Sequence, residues 1–283
     1  GKSLSKRMKI DAHQHFWNYI PERDTWIDDS MRILQKDFLP TDLKALLKSN
    51  SIDGCIAVQA DQSEEETTWL LDLAEENDFI KGVVGWVDLC AENVEDRLQF
   101  FSKNPLFKGV RHIVQSEEKD FVLRDDFKNG LCKLAPLGLT YDLLVYPSQL
   151  EAATELVFQF PEQQFILDHL AKPNIKGQEL DSWKSQIEII SAAPNISCKL
   201  SGMVTEADLN HWHANDFTPY LESIIDYFGL DRVIYGSDWP VCLLAAEYKE
   251  VLKLVQDFTA AFSKKEQANI FGGNACRIYN LTD

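Results

Sequence analysis

The chain has 283 residues, of which 45% are hydrophobic and 26% charged, and a formal net charge of −17. This is the composition of a water-soluble globular protein with a sizeable core. The acidic excess argues against nucleic acid and anionic membrane surfaces, which reward basic patches, and no apolar run approaches the roughly 20 residues of a membrane helix.

Residues 1–7 are polar and basic, without the apolar stretch of a secretory signal, and are expected to form a flexible leader. Residues 8–283 carry no linker, low-complexity tract or short repeat and are expected to form one domain. The first strand is predicted at Met8–Ala12. It runs into His13-Gln14-His15, whose two imidazoles should project to one side by strand alternation. Asp11 shares that parity and should orient a neighbour. A long aromatic segment, 16–40, follows and is expected to cover a site.

A helix is predicted at Asp42–Ser49, with Thr41 as its cap, then a buried strand over 53–60. Ser63-Glu64-Glu65-Glu66 reads as a capping box opening a helix to Asn77. Strands are then expected at 81–89, 109–114, 139–145, 164–170, 196–201 and 232–238. The helices between and after them are expected at 93–102, 125–134, 148–158, 180–192, 217–227 and 247–259, with a last short helix at 264–270. Eight strand–helix units in a chain of this length imply a single-domain (β/α)8 TIM barrel, of the α/β class. A doubly wound sheet is the alternative, but its Gly-rich phosphate turn is missing after the first strand.

Cys55, Cys90, Cys132, Cys198, Cys242 and Cys276 are widely spaced with no CxxC pair, so buried thiols in a reducing cytoplasm are expected. In a barrel the C-terminal strand ends share one face, where active sites form. Four of the six histidines fall on such ends: His13 and His15 on strand one, His112 beside Arg111 on strand four, and His169 on strand six. Asp238 stands at the end of strand eight. Alternation sends only one of Arg111 and His112 inward, and it turns Asp168 outward when His169 faces in. His211 and His213 read as a solvated loop.

Together, His13-Gln14-His15, Gly109-Val110-Arg111-His112, Asp168-His169-Leu170-Ala171-Lys172-Pro173 and Gly236-Ser237-Asp238-Trp239-Pro240 resemble the amidohydrolase superfamily. More narrowly, they resemble its amidohydrolase-related branch of sugar lactonases, which act on L-fucono- and L-rhamnono-lactones. Lys199-Leu200-Ser201-Gly202 and Phe271-Gly272-Gly273-Asn274-Ala275 support the resemblance. It implies a hydrolase that opens a small sugar lactone to the aldonic acid, with no nucleic acid or membrane partner. A homo-oligomer is compatible with it.

The resemblance also implies that His13, His15, His169 and Asp238 could hold a single zinc ion. The chain departs from the two-metal pattern, since strand four lacks a bridging lysine and strand five a histidine. The expected cofactor is therefore none, or one divalent metal ion. In the metal-free mechanism Asp238 activates water, while His169 and the inward member of Arg111 and His112 assist. His13, His15, Trp17, Trp26, Tyr146 and Trp239 are the expected substrate contacts. The rival readings are a metal-dependent decarboxylase of an aromatic acid on the same scaffold and a non-catalytic sugar-binding barrel.

Overall fold

A computed structural model describes residues 8–282. Eight parallel strands pair in sequence order: β1 (Ile10–Gln14), β2 (Gly54–Val58), β3 (Ile80–Gly85), β4 (Phe107–His112), β5 (Thr140–Leu143), β6 (Phe165–Leu167), β7 (Ile196–Leu200) and β8 (Val233–Tyr235). The first and last close on each other. Asp238 N donates to His13 O at 2.8 Å, and His15 N donates to Trp239 O at 2.8 Å. The protein is a (β/α)8 barrel, as the strand count implied.

One helix follows each strand: α1 (Pro40–Ser49), α2 (Glu64–Glu76), α3 (Val94–Ser102), α4 (Asp125–Leu131), α5 (Leu150–Gln159), α6 (Asp181–Ser191), α7 (Thr218–Phe228) and α8 (Tyr248–Phe258). Helix α1 begins at Pro40, which needs no backbone donor in the first turn. Thr41 therefore lies inside the helix instead of capping it, and the Asp42 carboxylate accepts from Leu39 N at 2.9 Å. Ser63 caps α2 by accepting from Glu66 N at 3.2 Å. The Glu66 carboxylate does not return to Ser63, as a full capping box requires. It accepts from Ala60 N and Asp61 N instead, at 3.0 and 2.7 Å.

Six of the strands are shorter than predicted because their C-terminal ends turn into the loops that build the site; β1 and β4 keep the predicted length but lie two residues later and two residues earlier, respectively. The chain's end also differs. After α9 (Lys264–Ala268) the backbone kinks and continues into α10 (Asn274–Ile278), beyond the predicted last helix. Ala275, Cys276, Tyr279 and Leu281 pack with Ile10, Ala12, Ile56, Val58, Ile166 and Ile234, so the tail seals the barrel interior. A larger apolar cluster, including Cys55, Leu143, Leu167, Leu200 and Tyr235, joins the strands to the helices.

Four cysteines are buried, but Cys90 is half-buried and Cys132 exposed, which corrects the expectation of buried thiols for those two. Residues 1–7, read as a leader, lie outside the described residues. No helix among the described residues is long and apolar enough to cross a membrane.

Candidate active site

The C-terminal strand ends surround a cavity of about 450 Å³, lined by His15, Arg111, His169 and Asp238, with Trp26, Tyr146, Lys172 and Glu206 among the residues around them. On β1 the alternation is broken by a bulge: Asp11 pairs with Cys55, yet Gln14 pairs with Ala57. The extra residue lets Ala12 join the interior cluster while His13 and His15 also face inward. Asp11 consequently points the opposite way from its predicted parity, toward the helix layer. There it accepts from Tyr248 Oη, Ser237 N and His13 N at 3.0, 2.9 and 3.1 Å. It still orients neighbours, but from behind the strand. Burial pushes its carboxyl up to about 6, against those hydrogen bonds.

On β6 the strand ends at Leu167, and His169, Leu170, Ala171 and Lys172 follow with φ of 57°, 57°, 60° and 51°. Four successive residues in the left-handed region each cost about 1 kcal/mol or more, so the surroundings must enforce them. Lys172 N closes the turn onto His169 O at 2.7 Å, and the Trp183 indole donates to Leu170 O at 2.6 Å. This turn aims both His169 and Lys172 at the cavity. It also corrects the outward placement of Asp168, which is fully buried in the barrel against Arg111 and Lys199. Gly202, at φ +62°, makes room beside it, since a Cβ there would meet His169 Cγ at 2.4 Å.

Arg111 is the inward member of its pair. Its Nε donates to Gln59 Oε1 at 2.7 Å, its Nη2 to Gln59 O at 2.7 Å, and its Nη1 to Asp168 Oδ2 at 3.1 Å. His112 lies outside the cavity, stacked on Phe121 at 4.8 Å between ring centroids, with Nε2 3.0 Å from Glu117. Trp17 and Trp239 are likewise core residues: each ring packs edge-on against Phe38, and the Trp17 indole donates to Lys36 O. Trp26 and Tyr146, each 40% exposed, are the aromatics left at the cavity. His13 is fully buried behind the cavity wall.

The imidazoles converge on one carboxylate. Asp238 Oδ1 lies 3.2 Å from His15 Nε2, 3.6 Å from His13 Nε2 and 3.8 Å from His169 Nε2, and the two Nε2 atoms of His13 and His15 are 3.1 Å apart. Burial disfavours charge on Asp238, but at the low pH where it titrates the protonated His169 foremost, with Lys172 among the other basic groups, outweighs it and holds the carboxyl below its ordinary range. Burial drives His169 down to about 4, so it is a neutral imidazole at pH 7.

These separations bear on metal binding. Ligand atoms about 2.0–2.1 Å from a tetrahedral zinc ion lie about 3.3 Å apart, and the observed 3.1 to 3.8 Å bracket that value. His15 also has the right proton placement: its Nδ1 donates to Val58 O at 2.9 Å, which leaves Nε2 with a lone pair. The residues fit one divalent ion.

Sequence reasoning did not single out Lys199, Gln59, Lys172 or Glu206 as functional. Lys199 did carry a signal, a lysine inside the apolar strand Ile196–Leu200, where it is fully buried. Gln59 and Glu206 carried none.

The chain resembles known proteins along nearly its whole length. The chain is 36% identical to an L-fucono-1,5-lactonase of Burkholderia multivorans, over 98% of this chain and 97% of that protein. It is 33% identical to an L-fucono-1,5-lactonase of Burkholderia ambifaria, over 96% of each. A crystal structure of a Burkholderia multivorans amidohydrolase with bound zinc superposes with a TM-score of 0.93 at 36% identity, covering 97% of this chain and 100% of that one. The family described as amidohydrolase matches residues 10–281, and the chain belongs to it.

Proposed function

We propose that this enzyme hydrolyses a sugar-derived lactone of the L-fucono- or L-rhamnono- type to the open aldonic acid, with Asp238 as general base. The observation that carries the reading is the single buried carboxylate, Asp238, facing a cavity of about 450 Å³ and ringed by three imidazoles. The L-fucono-1,5-lactonases that match nearly the whole chain support the same substrate class.

The chemistry follows from the groups in place. Water attacks the lactone carbonyl, and Asp238 takes its proton. When the ring C–O bond breaks, Asp238 returns that proton to the departing oxygen, so the carboxyl ends as it began. A positioned base of this kind typically contributes about 10² to 10⁴ in rate. Negative charge grows on the carbonyl oxygen during attack. Arg111, clamped by Gln59 and Asp168, still has N–H groups to offer from the cavity wall.

Trp26 offers an apolar face to the sugar ring. Tyr146, Lys172 and Glu206 offer hydroxyl partners: the ammonium lies 5.1 Å from the Tyr146 ring centre and 3.4 Å from Glu206. A divalent ion held by His13, His15, His169 and Asp238 supplies, when bound, Lewis acidity toward the carbonyl and a more acidic water.

The acidic chain and its small-molecule cavity support a sugar lactone as partner, with no nucleic acid, and a cytoplasmic setting belongs to the same proposal. The decisive test is acid release from a panel of sugar lactones, assayed with and without chelator beside CO₂ release from aromatic acids. Lactone hydrolysis is expected. Decarboxylation without lactone hydrolysis would overturn the reading.

A further inference from the structure

Below the cavity lies a second set of buried ligand-type groups. The side chains of His13, Asp142 and Asp168 bring one atom each within 4.8 Å of one another. That grouping would suit a cation, and it already has one. Lys199 Nζ lies 2.6 Å from Asp142 Oδ2, 3.0 Å from His13 Nδ1 and 3.3 Å from Asp168 Oδ1. Tyr279 Oη completes Asp142 by donating to its other oxygen at 2.8 Å.

An ammonium has N–H groups to give and nothing to accept with. The His13 nitrogen facing it must therefore be the acceptor, which places the imidazole proton on Nε2. From there the donors run in one direction. Lys199 donates to His13 Nδ1, His13 Nε2 donates to His15 Nε2 at 3.1 Å, and His15 Nδ1 donates to Val58 O at 2.9 Å.

A metal-ligating histidine ordinarily has the reverse arrangement. It gives its metal a lone pair and donates its other N–H to a carboxylate or carbonyl. The carboxylate for that role is present. Asp168 Oδ1 is buried, 3.8 Å from His13 Nδ1, and takes no well-formed hydrogen bond from a described residue. Lys199 stands at both atoms and turns His13 the other way.

We propose that Lys199 is a positioning residue: its ammonium fills the deeper cation compartment and holds His13 with its proton on Nε2, which weakens metal binding at the cavity. In the metal-free enzyme His13 is thus a hydrogen-bond donor toward His15 and Asp238, and an ion that enlists His13 must first displace the Lys199 contact.

The test needs no substrate, so it stands apart from the lactonase reading. Long-range proton–nitrogen NMR of the metal-free, histidine-labelled full chain reports which His13 nitrogen carries hydrogen, with His13 assigned through His13→Gln. The expected result is Nε2–H, and a proton on Nδ1 would overturn the proposal. Zinc affinity is then measured by chelator competition. Because Lys199→Met alone strands the Asp142 charge, it is combined with Asp142→Asn, and Asp142→Asn alone serves as the control. The double variant is expected to move the His13 proton to Nδ1, facing Asp168, and to bind zinc about 10- to 100-fold tighter. The single variant should keep the wild-type proton and affinity. An unchanged affinity in a folded double variant would overturn the proposal, and if that variant does not fold, the wild-type proton position decides alone.

Discussion

His13 and Asp238 meet twice: the Asp238 backbone N–H donates to His13 O at 2.8 Å, while the Asp238 carboxylate lies 3.6 Å from His13 Nε2. One of the two backbone hydrogen bonds that join the last strand end to the first thus also sets the spacing of base and imidazole. Asp238 adopts φ +57°, a conformation open to Asp and Asn but strained for most side chains.

Asp238→Asn should therefore keep the seam and the fold while removing the base. Steady-state kinetics on the best lactone should show kcat lower by about 10² to 10⁴ with KM little changed. A variant with near wild-type turnover would remove Asp238 from the mechanism.

Gly202→Ala places a methyl group where it meets His169 Cγ at 2.4 Å, on a backbone already at φ +62°. The strain should cost about 1–3 kcal/mol of stability, and the displaced imidazole should lower kcat/KM more than the stability loss accounts for. Denaturant unfolding alongside kinetics separates the two effects.

Arg111 and His112 are adjacent in sequence and opposite in role. Arg111→Lys keeps a charge but cannot hold Gln59 and Asp168 with the same planar fork, so activity should fall about 10²-fold. His112→Asn removes the stack on Phe121 and should cost about 1 kcal/mol of stability with kcat within about twofold of wild type. The reverse pattern would mean that the wrong neighbour faces the substrate.

The buried Glu66 gives a pH signature in stability. Burial raises its carboxyl from an ordinary 4.5 to about 8, despite hydrogen bonds from the Asp61 and Ala60 amides. The folded chain holds that proton more tightly than the unfolded chain. Its contribution is therefore fully present below pH 4.5 and is lost as pH rises toward 8, by at most about 1.4 kcal/mol per unit. Urea unfolding at pH 5 and pH 8 should show the wild type losing more stability across that interval than Glu66→Gln. Equal losses would count against a protonated Glu66.

Much of the molecule is legible in the sequence because strand–helix alternation and strand-end placement are regular. The barrel follows from eight units, and His15, His169, Arg111 and Asp238 come together because four different strands end on one face. What escapes is irregular. The β1 bulge and the left-handed turn after β6 each break the two-residue period, so strand alternation puts Asp11 and Asp168 on the wrong sides. Trp17 and Trp239 adjoin the motifs and so look like substrate contacts, yet adjacency cannot distinguish a pocket wall from the layer behind it. Lys199 stands within a motif, but its partners lie on β1, β5 and the loop after β6, and pairwise contacts of that span are not visible along a chain.

The closed seam has a consequence for biosynthesis. His15 and Asp238, 3.2 Å apart in space, are 223 positions apart along the chain. Asp142 likewise waits 137 positions for Tyr279, which lies in the tail that seals the barrel. A ribosome therefore cannot make half of this site: while β8 is inside the exit tunnel, the first strand has no final partner and its imidazoles lack Asp238. Contacts of such span form slowly and leave strand edges exposed until they do, so chaperones should engage the growing barrel before it has any chemistry to perform.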